Sequence, residues 1–122
     1  MELNIDKKKN LLFVSISGIA TDNDIVSGVG KVGELLPELK ENFSVIMNLT
    51  EFIETSTEQG AMLNKITKSV NEKIKINMIV RVVGNSKTLT QNLCKMDKLF
   101  NMDNVKYVPT MEDAIKLIDG LE

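Results

Sequence analysis

Apolar and polar residues alternate most regularly in the middle of the chain. From Phe43 onward, Phe43, Val45, Met47 and Leu49 interleave with Ser44, Ile46, Asn48 and Thr50, the period of two expected of a strand in a sheet covered more fully on one side. Further on, Met62, Ile66 and Val70 recur at helical spacing with Leu63 beside them, which is the stripe of an amphipathic helix. Between the two, Thr55 to Glu58 and Ser56 to Gln59 each have the spacing of a capping box, in which a hydroxyl accepts a free amide of the first turn and the side chain three residues on reaches back. The spacing predicts a strand that leaves through a polar turn and enters a helix near Thr55 or Ser56.

The flanking pattern completes an alternating order. Glu2 to Ile5 and Leu11 to Ser17 read as strands of a hairpin joined by Asp6 to Asn10, with Leu12, Val14 and Ile16 on one face. Thr21, with Asp24 three residues on, caps a helix whose inner side is Ile25, Val29, Val32, Leu36 and Leu39, and Pro37 ends or kinks it. In Ile74 to Val83, the residues Ile74, Ile76, Met78, Val80 and Val82 share one face, and Lys75, Asn77, Ile79, Arg81 and Val83 share the other. A turn at Gly84 to Lys87 then leads into a helix carrying Leu89, Leu93, Met96 and Phe100. Val105 to Val108 form a last short strand, and Thr110 caps a final helix with Asp113 placed three residues on and Met111, Ala114, Ile115 and Ile118 facing in.

The expected fold class is α/β, in the order β-β-α-β-α-β-α-β-α. It has a single mostly parallel sheet with an N-terminal antiparallel hairpin and right-handed crossovers, so that it forms a superhelix with the helices mainly on one face. If each strand lies beside the one before, every helix lands on that same face. Ser15, Ser17, Ser44, Asn48, Lys75, Asn77 and Arg81 would then form a polar opposite face, open in a monomer or covered in a homodimer.

Composition narrows the classes of function. The 122 residues fit one domain, 1–122, and 43% hydrophobic with 26% charged residues is ordinary for a soluble globular chain. A net charge of -2 argues against a nucleic-acid surface, and Lys7-Lys8-Lys9 reads as a solvated turn. No apolar run is long enough for a membrane span. The start MELNIDKKKN lacks the apolar core of a signal peptide, and a lone cysteine excludes an internal disulfide, so the expected location is cytoplasmic. Without histidine the chain lacks the commonest general base and metal ligand, which disfavours catalysis, metal sites and cofactors.

Three further features invite chemistry. Gly28-Val29-Gly30-Lys31-Val32-Gly33 spells GxGxxG, but mid-helix instead of in a strand-to-helix turn, so the reading is of small residues that let the helix approach the sheet. Gly84, Asn85, Ser86 and Lys87 form a candidate anion site, since a helix N-terminus and a lysine can hold an anion; the earlier glycine and the adjacent lysine of a Walker motif are missing. Cys94, with no histidine to activate it, reads as an inert thiol on a helix flank, and the internal methionines as core filling.

The order of elements, with the stretches VIMNLTEFIETSTEQG, MIVRVVGNSKTL and YVPTMEDAIKLI, resembles the STAS domain of sulfate transporters and anti-sigma factor antagonists, in its stand-alone bacterial form. More remotely, the architecture is similar to lipid-transfer domains of the CRAL-TRIO type. The resemblance implies a right-handed β-α superhelix. It also implies that the turn before the second helix carries a serine phosphorylated by a partner kinase. Here that turn is Glu54-Thr55-Ser56-Thr57-Glu58, with Ser56 the candidate and Thr55 and Thr57 its neighbours. Three departures stand out: Glu54 in place of aspartate, no glycine after the serine, and Glu58 where a phosphate would meet a like charge.

Two functions follow as expectations. The first is a non-catalytic regulatory or interaction module whose protein partner, of kinase or anti-sigma-regulator type, contacts the turn around Thr55, Ser56, Thr57 and Glu58. The alternative is a carrier of an anion, nucleotide or lipid at the carboxyl ends of the parallel strands.

Overall fold

A computed structural model describes residues 2–19, 21–53, 67, 68, 70, 72, 74–99, 101, 102 and 104–120. Strands β1 (Glu2–Asp6) and β2 (Leu11–Ser15) form the expected hairpin, closed by a turn in which Asn10 adopts φ 51°. The Asn10 side chain donates to the carbonyls of Lys40 and Glu41 and accepts from the Lys40 amide at 2.8 Å, which ties the hairpin turn to the loop ahead of the central strand. Helix α1 (Asp22–Leu35) begins with the full capping box between Thr21 and Asp24 and gives way to a single 3-10 turn, Leu36–Glu38, at Pro37. Strands β4 (Phe43–Asn48) and β6 (Ile76–Val82), helix α2 (Lys87–Leu99), strand β7 (Val105–Val108) and helix α3 (Met111–Asp119) follow. Residues 67, 68, 70 and 72 are helical.

The main sheet has five strands in the order β1-β2-β4-β6-β7, with β1 antiparallel to β2 and every other pair parallel. This is the α/β class expected from the pattern. One detail was not legible: β2 stops at Ser15, and the chain makes a second strand, β3 (Gly18–Ile19), that pairs in parallel with β5 (Phe52–Ile53). Gly18 permits the bend, at φ 67°, and its amide donates to the Glu51 carbonyl at 2.7 Å.

Helices cover both faces, and topology explains which goes where. Leu12, Val14, Phe43, Val45, Met47 and Ile79 pack with Leu35, Val70, Leu89 and Leu93 on the first face, beneath α1, the helical residues near 70 and α2. These all lie on connections between parallel strands that step in one direction across the sheet, so crossovers of one hand must share a face. Helix α3 follows β7, the last described strand, and lies on no such connection among the described residues. It packs Ala114 and Ile118 on Leu11, Ile46, Val80 and Val82 of the second face.

The expectation of a polar, open second face therefore needs correction. Ser44 is buried there beside the ground that α3 covers, and Arg81 lies on the other face altogether, because it pairs across the sheet with Met47. Ile115, expected to face in, is exposed. The two strand patterns are also offset by a bulge. Phe43 pairs with Ile76 but Ser44 pairs with Met78, so Asn77 is an extra residue in β6, and Ile76 and Ile79 reach the same core although their positions differ in parity.

Candidate functional site at the carboxyl edge of the sheet

The two stretches singled out in the sequence leave from adjacent strands. At the end of β4, the Asn48 carboxamide oxygen accepts from the Thr50 amide and hydroxyl at 3.1 and 2.8 Å, and Phe52 closes the turn by donating to the Leu49 carbonyl. Phe52 is buried, so the β3–β5 pair holds the chain in place up to Ile53. The residues Thr55, Ser56, Thr57 and Glu58, and the helix start expected there, lie outside the described residues.

One strand over, Gly84 turns the chain at φ 63° after β6, and a Cβ there would lie 3.9 Å from the Thr50 methyl. The turn at Thr50 and the turn at Gly84 are thus neighbours on one edge. Gly84, Asn85, Ser86 and Lys87 are brought together with Thr90 and Gln91 around a shallow, open depression. Its donors are partly spent. The Ser86 hydroxyl accepts from the Leu89 amide at 3.2 Å, and Thr90 donates to the Ser86 carbonyl at 2.8 Å. The geometry is that of a turn and an N-cap, with Lys87 exposed at the rim.

The GxGxxG spelling lies inside α1, as its position predicts. Gly28 is buried against the sheet side, but a Cβ at Gly30 or Gly33 would meet no atom within 4 Å. Close helix-to-sheet packing thus does not account for Gly30 or Gly33. Cys94 is a free, half-buried thiol.

Beneath the edge lies a polar cluster that the sequence reading missed. Arg81 is 1% exposed, and its Nη2 donates to Asp97 Oδ1 of α2 at 2.9 Å. Its Nη1 faces the Met47 sulfur at 3.7 Å, and the Tyr107 hydroxyl of β7 donates to Asp97 Oδ2. Burial pulls the Arg81 guanidinium below its ordinary value while Asp97 pulls it back; an arginine keeps its charge at any working pH. Strands β4, β6 and β7 and helix α2 are therefore joined by one charged network. The signal was present in the sequence: Arg81 stands between Val80 and Val82, and Asp97 falls four residues after Leu93 on the apolar stripe of its helix.

Among the described residues, no three His, Cys, Asp or Glu side chains lie close enough together to hold a metal, and no helix is long and apolar enough to cross a membrane. The Lys7–Lys9 run makes surface ion pairs, Lys7 with Glu38 at 3.1 Å and Lys9 with Asp119 at 2.9 Å. No protein-family model and no curated protein matches the chain.

Proposed function

We propose that this chain is a non-catalytic regulatory module of the STAS type, which binds a protein partner through the stretch Thr55, Ser56, Thr57 and Glu58. The observation that supports this reading is where that stretch is launched. It leaves the third of five strands, at the carboxyl edge, from a turn pinned by Asn48 and by the β3–β5 pair. The base from which it departs is fixed to the core through Leu49 and Phe52. Three consecutive hydroxyl residues between Glu54 and Glu58 give a partner kinase its acceptor. A phosphate there would gain from the free amides of a helix start and lose to the flanking carboxylates, and such opposed terms are what a reversible switch uses.

The experiment is intact-mass and fragment analysis of the protein isolated from its native cells across growth phases and stresses. The reading predicts a phosphate on Thr55, Ser56 or Thr57 in at least one condition. An unmodified stretch in all of them, with phosphate elsewhere or nowhere, would remove kinase regulation from the proposal.

A further inference from the structure

Two cavities of opposite character meet at the other end of the sheet. The first is a slot of about 60 Å³ between α1 and the first sheet face. Its walls are Gly28 and Val32 of α1, Val14, Val45 and Ile79 of the sheet, and Val70. Thr67 is the one polar side chain among its described lining residues. Val29, an apolar residue left 41% exposed, also lines the slot. The second cavity, about 330 Å³, opens at the amino-terminal edge of β4, β6 and β7. Lys68, Lys75, Asn42, Asn77, Asn101 and Asn104 line it, with no carboxylate among the described lining residues. Thr67, Ile76 and Ile79 belong to both walls, so the apolar slot and the amide-and-lysine basin adjoin.

Gly28, buried and without a side chain, forms part of the slot's wall on α1, and an apolar slot of this kind stays dry until an apolar guest enters it. At the basin, the bulge that inserts Asn77 into β6 turns an exposed amide toward its wall, and Asn42 and Asn101 both sit at positive φ, at 64° and 55°. Bulges concentrate where a sheet edge has to aim a side chain.

We propose that slot and basin are one binding site for a short-chain amphipathic anion. Its alkyl chain enters the slot between Gly28 and Ile79, and its carboxylate or phosphate head lies in the basin against Lys68 and Lys75. The ammonium groups supply charge, and the Asn77 amide supplies a directed donor. At roughly 10–15 Å³ per water-sized volume the slot of about 60 Å³ has room for about four to six such volumes, which suits a chain of about four to six carbons. This site is at the opposite edge of the sheet from the turn at Thr50 and does not depend on the interaction reading.

The test is calorimetric or NMR titration of the full chain with the series acetate, butanoate, hexanoate and octanoate, with hexyl phosphate, and with 1-hexanol. Each methylene that enters the slot should raise affinity about fourfold until the slot is full, so affinity climbs from acetate to hexanoate and then levels. Hexanoate or hexyl phosphate should bind at least tenfold more tightly than 1-hexanol, and the tighter of the two assigns the head group. Reversing both exposed charges, Lys68→Glu with Lys75→Glu, should abolish the preference for the anion, with shift changes centred on Ile76 and Val70 in the wild-type chain. Gly28→Val should flatten the chain-length series; if that variant fails to fold, the wild-type series decides. Equal binding of acetate and hexanoate, equal binding of hexanoate and 1-hexanol, or an anion preference that survives the double reversal would each overturn the site.

Discussion

Arg81 Nη2 and Asp97 Oδ1 lie 2.9 Å apart with both side chains sealed from solvent, and the Tyr107 hydroxyl closes the far side of the carboxylate. A pair so placed is costly to break because one buried charge is stranded, and cheap to replace as a unit. Asp97→Ala should therefore lose about 3–5 kcal/mol in denaturant unfolding. Arg81→Met with Asp97→Leu should recover most of that loss. A double variant no more stable than the single one would show that the network contributes more than charge compensation.

Helix α3 provides a test of the covered second face. Ile118 is 3% exposed against Leu11, Ile46, Val80 and Val82, whereas Ile115, three residues earlier on the same helix, is 37% exposed. Ile118→Ala should cost about 2–5 kcal/mol, and Ile115→Ala should fall within the small range usual for surface changes. Equal losses at the two positions would contradict the orientation of α3.

At the start of α1, the Thr21 amide donates to Asp24 at 2.9 Å, and the Thr21 hydroxyl accepts from the Asp24 amide at 3.1 Å. The hydrogen bond from the Thr21 backbone, and then that from its side chain, hold the Asp24 carboxyl below its ordinary value of 3.8. A carboxyl whose pKa is lower folded than unfolded stabilises the fold fully above its unfolded value, and that contribution is lost as pH falls through the folded value. The cap should thus loosen only in acid. NMR titration should place the Asp24 midpoint below 3.8, and Thr21→Val should move it only part of the way back, because the main-chain amide is the larger cause.

Much of the fold was legible because the cues are local. The alternation at Phe43 to Asn48, the Thr21 and Thr110 caps and the stop at Pro37 all appear where their residues call for them. What was not legible depends on register and topology. Arg81 shares alternation with Lys75 and Asn77, but the bulge opposite Phe43 and Ser44 sets those two residues at the wet edge, while pairing with Met47 carries Arg81 under α2. The last helix looked like the others by periodicity, yet it follows the last described strand instead of joining two described parallel strands, and it covers Ile46 and Val80 on the second face. The edge that carries the candidate stretch was legible as strand and turn; its neighbourhood with Gly84 required the strand order.

The turn at Gly84 to Lys87 should hold an anion only weakly. Ser86 already takes the Leu89 amide, and the depression is open on its outer side, so the dipole and Lys87 act without an encircling loop. Titration with nucleotides should show no submicromolar binding. Submicromolar affinity lost on Lys87→Ala would promote this turn to the principal ligand site.

The interaction reading rests on Ser56, and aspartate is the discriminating substitution. Aspartate is as good a helix cap as serine, so a residue that only caps would tolerate it; a switch residue would not, because the added charge imitates the released state. The decisive measurement is the affinity of a partner recovered from native cells, purified and titrated against wild type, Ser56→Ala and Ser56→Asp. The account predicts that the alanine variant binds as wild type does and that the aspartate variant binds at least about tenfold more weakly, a change of about 1.4 kcal/mol. Equal binding by all three would contradict it and leave Ser56 a helix cap.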